Sequence, residues 1–184
     1  MMARAVVKNR DTVWTGAIRH GIGDCTGVTA LEFALLAPVF MMLFFVLLET
    51  GIIFITQAML QNAVNDAALL IRTGQVQNLG MSQSQFRDAM CQHATGLIAC
   101  DNLLIDVQAF QNFSDAQYQS PLATNGTLNP DLSNFRPGNP GEVVLVRALY
   151  SWQVVTPLLT PFLANMADGK RLLVATTAFR NETF

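Results

Sequence analysis

Residues 33–55 make up 23 consecutive positions with a single charge, Glu49, and the 16 positions from Phe33 to Leu48 carry none. A hydrocarbon core of about 30 Å takes roughly 20 helical residues to cross, so this stretch can span a bilayer with some tilt. Fifteen of the 23 are Leu, Ile, Phe or Val. Each favours insertion by about 0.3–0.6 kcal/mol, and their sum outweighs the roughly 3 kcal/mol cost of one carboxylate. Pro38 falls in the first turns, where a membrane helix tolerates it better than a soluble one. A cleaved secretory signal has an apolar core of only about 7–15 residues, so this run is not one. A buried helix of a soluble protein is the remaining alternative.

The run dominates an otherwise ordinary chain of 184 residues, 51% hydrophobic and 13% charged, with a formal charge of -2. The charged fraction is half the usual value of roughly 25%. Disorder needs low hydrophobicity and high net charge, and nucleic-acid binding usually shows a basic excess, so both are disfavoured. Before the run stand Arg4, Lys8, Arg10 and Arg19 against Asp11 and Asp24, whereas residues 28–184 hold 7 basic and 11 acidic groups. The positive end stays cytoplasmic. Residues 1–27 are therefore placed inside as a basic leader, and everything beyond about residue 56 outside, which in a Gram-negative bacterium is the periplasm.

The junction of leader and span reads Gly27-Val28-Thr29-Ala30-Leu31-Glu32-Phe33-Ala34-Leu35-Leu36-Ala37-Pro38. A glycine closing a basic leader, followed by an apolar helix with one early carboxylate, resembles a prepilin-type (class III) signal. The resemblance implies cleavage after Gly27 by a membrane prepilin peptidase on the cytoplasmic side, with Glu32 fifth in the mature chain. The physical reading agrees. Cutting there creates a cationic amine on Val28, and positions four apart share a helical face, so the amine and Glu32 can neutralise each other within one chain. In an assembly the same carboxylate can take a neighbouring subunit's amine and fix axial register as helices bundle. The alternative is an ordinary signal anchor, with Glu32 near a helix N-terminus where the macrodipole favours an anion. Glu49 has two readings as well: an intramembrane contact to another subunit, or a carboxylate reaching the outer headgroups.

Beyond the span the helical period continues. Leu60, Ala63, Val64, Ala67, Ala68 and Ile71 form one apolar stripe from which Gln57, Gln61, Asn65 and Asp66 fall away. Arg72 in the last turn and Gly74 just after it are stop signals, so one helix is expected over about 28–73. Ser82-Gln83-Ser84-Gln85 has capping-box spacing and opens a short helix carrying Phe86, Met90 and Ala94. Alternation over Leu103–Ala109 and Arg171–Phe179 predicts two strands, and residues 143–152, apolar on both faces, a central one. Residues of about 111–141, with Pro121, Pro130, Pro137, Pro140 and Asn125-Gly126, are read as a long loop. The fold class is α+β. A long, pilin-like membrane helix packs by its outer part on a small domain, residues 74–184, with a short helix and an antiparallel sheet of about three strands.

Several further segments carry a wider resemblance: Leu48-Glu49-Thr50-Gly51, Gln57-Ala58-Met59-Leu60-Gln61-Asn62-Ala63, the pair Cys91 and Cys100, Tyr150-Ser151-Trp152, and Phe179-Arg180-Asn181-Glu182-Thr183-Phe184. Together with the leader they resemble the TadE-like family over most of residues 27–184. Thr183 stands where the closing motif of that family has proline, and no proline follows Trp152. The resemblance implies a minor, prepilin-processed pseudopilin of the Tad (tight adherence) apparatus, which assembles Flp-type pili. It implies as partners the membrane, the prepilin peptidase, and other pseudopilins or pilus assembly subunits met through the N-terminal helix.

Cys91 and Cys100 both fall on the exported side, where disulfides persist, so the pair is expected to bridge; two buried thiols are the alternative. Cys25 belongs to the leader. His93 is two residues from Cys91, a spacing that turns the side chains about 200° apart on a helix and does not favour a shared ligand. No catalytic or phosphate-binding motif is present. No enzyme activity, cofactor, metal, nucleic acid or small-molecule substrate is expected. Two rival readings remain open, an uncleaved, signal-anchored periplasmic binding or sensing module, and a membrane-tethered thiol enzyme using Cys91.

Overall fold

The computed structural model describes residues 27–92, 96–116 and 119–184; the basic leader, Cys25, His93 and Ala94 lie outside the described residues. By internal contacts the chain divides into two units, Met1–Phe44 and Phe45–Phe184. The first unit contains Gly27 and the opening turns of helix α1, Val28–Arg72. Among the described residues of this unit the large apolar side chains, Val28, Leu31, Phe33, Leu35, Leu36, Val39 and Phe40 among them, are exposed. Their exposure suits a helix whose solvent is lipid, and α1 is long and apolar enough to cross a membrane.

The second unit is an α+β domain built on a three-stranded antiparallel sheet in the order β1-β2-β3. The strands are β1, Leu103–Phe110; β2, Val143–Gln153; and β3, Lys170–Arg180. Leu103 pairs with Tyr150 and Phe110 with Val143, while Val143 pairs with Arg180 and Gln153 with Lys170. The central strand is the one whose sequence is apolar on both faces, and Val143 to Tyr150 are all buried.

One face of the sheet presents Leu103, Ile105, Val107, Val144, Val146, Ala148, Tyr150, Leu173 and Ala175 to the helices. Onto it packs the stripe expected from sequence, with Leu60, Ala63, Val64, Ala67, Ala68 and Ile71 all buried. Gln57 and Gln61 lie beside that stripe and donate from their side-chain amides to the β3 carbonyls of Val174 (2.9 Å) and Thr176 (3.3 Å). They occupy acceptors on an otherwise open edge strand, a place where unpaired backbone invites further pairing.

Helix α1 stops where its signals place the stop. Gly74 takes φ 77°, and a side chain there would also overlap the Phe184 ring, so glycine is required twice over. The backbone N–H of Glu182 donates to the Arg72 carbonyl (3.0 Å), and the two side chains pair at 3.0 Å. The closing segment thereby clasps the helix end. A turn-length helix α2, Gln75–Asn78, leads to α3, Gln83–Gln92. The capping box forms reciprocally, the Gln85 N–H donating to Ser82 Oγ (3.3 Å) and the Ser82 N–H to Gln85 Oε1 (2.8 Å). It aims Phe86 and Met90 into the core.

The described residues of the connection from β1 to β2 are largely irregular, as its prolines imply, yet several of them are fastened to the sheet. Asn134 and Arg136 bracket the edge of β1: the Val107 N–H donates to the Asn134 carbonyl (2.8 Å) and the Arg136 N–H to the Val107 carbonyl (2.9 Å). Leu132 is buried against Leu149 and Leu172 on the face away from the helices, with Leu104, Leu122, Leu128 and Met166 around it. After β2 come a single turn, Pro157–Leu159, and the short helix α4, Thr160–Leu163. Asp168-Gly169 turns the chain into β3; the Lys170 ammonium, hydrogen-bonded at 2.6 Å, holds the Asp168 carboxyl below the usual carboxylate range.

Candidate functional site

The residues singled out by sequence fall into three places, each described by itself. At the start of α1, Val28 and Glu32 are four positions apart in one helix and both exposed. Such residues stack on the same face. Gly27 directly precedes the helix. Among the described residues, a side chain added there would meet nothing within 4 Å.

Glu49 lies in the second unit and is buried. Its carboxylate accepts two backbone hydrogen bonds from the segment after β2, Oε1 from the Val155 N–H at 2.6 Å and Oε2 from the Thr156 N–H at 3.0 Å. Two charge-assisted bonds to adjacent amides fix that segment to α1 and satisfy both oxygens. These partners are not legible in sequence, because a carboxylate can cap amides more than 100 residues away without leaving any trace in local periodicity.

Cys91, in α3, is joined by a disulfide to Cys100, which opens the turn Cys100–Asn102 leading into β1, with Cα atoms 6.0 Å apart. The bridge fastens α3 to the first strand. Closing a loop of sequence separation 9 stabilises by about 2–3 kcal/mol through chain entropy. Replacing both cysteines by serine should lower the urea midpoint of the purified chain by on the order of 1 M. An unchanged midpoint would show that the loop is held equally well without the bond.

A fourth constellation was missed in sequence. Asp106 and Arg147 are direct cross-strand partners on the face away from the helices, 0% and 1% exposed. Arg147 donates from Nε (3.1 Å) and Nη2 (2.6 Å) to Asp106 Oδ2, and from Nη1 to the Gln119 carbonyl (2.9 Å). Asp106 Oδ1 accepts from the Asn134 backbone and side-chain amides, both at 3.1 Å. The pair thus ties Gln119 and Asn134 of the long connection to the sheet. Polar alternation in β1 and one arginine in an apolar strand were the available signals. They become informative only once the register sets the two residues opposite each other.

Among the described residues no group of three His, Cys, Asp or Glu comes together that could hold a metal. What the first unit offers is a stretch of uncovered apolar helix with an acidic residue near its beginning, and what the second offers is a small, cross-braced domain. The model of the family described as TadE-like protein matches residues 27–69, from Gly27 into the buried stripe of α1. No curated protein and no solved structure gives a significant match. Residues beyond Leu69 lie outside the family match, so the similarity to the TadE-like family rests on the helix bearing Gly27, Glu32 and Glu49.

Proposed function

We propose that this chain is a minor pseudopilin of the Tad apparatus, a structural component in the assembly of Flp-type pili. A prepilin peptidase cuts it after Gly27, α1 is anchored once in the bacterial inner membrane, and the α+β domain faces the periplasm. The observation that supports this most directly is the start of α1. Val28 and Glu32 share a helical face in a stretch whose apolar side chains are uncovered, within the segment that matches the TadE-like family. Among the described residues nothing crowds Gly27, which fits a glycine read by an outside agent, the peptidase.

The mechanism is electrostatic. A lone carboxylate at the membrane edge is costly, and a new ammonium on Val28, whether from the same or a neighbouring chain, offsets that cost. When neighbouring helices exchange these partners, only one axial register neutralises every pair. The role is structural, with no reaction step, cofactor or metal.

Glu32→Gln is isosteric and leaves insertion intact. Breaking a buried charge pair by removing one partner costs about 3–5 kcal/mol, so even a third of that reduces association about tenfold. Co-purification of partner membrane subunits with the Glu32→Gln chain should therefore fall by about tenfold or more, with pilus yield falling in parallel. Pili at full yield and partners recovered as before would overturn the proposal.

A further inference from the structure

Between Gln153 and Asp168 there are 14 residues without a charge. Within that stretch Val155, Leu158 and Phe162 are 74%, 61% and 80% exposed, while Leu159 is buried and Leu163 packs on the core. Three large apolar side chains turned outward on one short segment are unusual for a surface bathed only in water.

The segment's position supplies the reason. Its first two amides are held by Glu49, and its end at Leu163 shares a cleft with Ile53 and Phe54 of α1. It therefore runs along the part of α1 that belongs to the apolar run read as the membrane span. Ile52, Phe54 and Ile55 of the helix are exposed at the same level. The charged groups nearest in sequence follow the segment: Asp168 and Lys170 pair with each other, and Arg171 donates from Nη1 to the Leu163 carbonyl (3.0 Å). Arginine and lysine at the rim of an apolar surface suit the headgroup layer.

We propose that residues 155–163 form a lipid-contacting loop that dips into the leaflet on the domain's side of the membrane, Val155, Leu158 and Phe162 resting against acyl chains and Glu49 holding the loop to α1. The occupant is lipid and not a second copy, because the patch is uncharged and continuous with the exposed apolar surface of a membrane helix. Buried N–H groups at that depth need acceptors, and the Glu49 carboxylate supplies them for Val155 and Thr156. The proposal rests on α1 crossing a bilayer and is independent of leader cleavage.

The test uses the full chain reconstituted in phosphatidylcholine vesicles. Phe162→Trp places a fluorophore on the loop with little change in side-chain character, and Leu36→Trp reports on the span; in each case the emission of the parent, which has Trp14 and Trp152, is subtracted. A loop about 5–10 Å below the headgroup boundary predicts roughly twofold quenching of the added Phe162→Trp emission by lipids brominated on the upper acyl carbons, with weaker quenching by bromines near the chain end. Quenching of Leu36→Trp but not of Phe162→Trp would overturn the loop proposal while leaving the span in place. If that unquenched Phe162→Trp emission were also shielded from aqueous iodide, the patch would be covered by protein. Quenching of neither would remove the span and the loop proposal with it.

Discussion

Asp106→Ala should be among the most damaging single substitutions in the α+β domain, costing about 3–5 kcal/mol. The change takes the Asp106 carboxylate away from the Arg147 guanidinium, 1% exposed, beneath the long β1–β2 connection. Removing one partner of a buried ion pair forfeits the attraction that offset the other's desolvation, here the two bonds from Arg147 to Asp106 Oδ2, and with it the two bonds from Asn134 to Asp106 Oδ1. At roughly 2–4 °C per kcal/mol, thermal unfolding of the detergent-solubilised chain should move down by roughly 6–20 °C. The double change Asp106→Leu with Arg147→Met should be far milder than Asp106→Ala, since replacing a buried pair by apolar groups is often neutral. A double variant as unstable as the single one would show that the connection is held specifically by hydrogen bonds to Gln119 and Asn134, and not merely penalised by a stranded charge.

Phe86→Ala should cost a similar amount, about 3–5 kcal/mol, through the cavity it leaves. Phe86 is fully buried between α1 and the sheet, and its ring centroid lies 5.5 Å from that of Phe135 in the long connection. Loss of the ring removes packing from two elements at once, α3 and the segment that borders β1. The urea midpoint of the variant should fall, and hydrogen exchange at the Arg136 N–H, which bonds to the Val107 carbonyl, should accelerate more than exchange in β2. Phe86→Leu, which keeps most of the volume, should recover most of the loss. Equal acceleration across all three strands would mean that Phe86 supports the domain globally and that the connection has no separate dependence on it.

These two sites show where sequence stops being informative. Elements governed by local period and capping chemistry were legible: the apolar run, the stripe from Leu60 to Ile71, the stop at Gly74, the box at Ser82–Gln85, and three strands with the doubly apolar one in the centre. Each is written within a window of a few residues. Asp106 with Arg147, 41 positions apart, and Glu49 with Val155 and Thr156, more than 100 apart, depend on strand register and on how a loop returns. No periodicity encodes that.

The long connection was readable as irregular from its prolines. Its attachment was not, because a segment without regular structure satisfies its backbone through scattered partners such as Asp106, Val107 and Asn181. Of the residues proposed to act in assembly, Gly27 and Glu32 were legible because their chemistry depends on spacing along one helix and not on the tertiary fold.

The central claim is that an ammonium is created at Val28 beside the Glu32 carboxylate, and intact mass spectrometry of the chain extracted from membranes of cells that contain the prepilin peptidase tests it most directly. The account predicts a mature chain beginning at Val28, with a Gly27→Leu variant retaining its leader. A chain still carrying residues 1–27 in those cells would contradict it and favour an uncleaved anchored module.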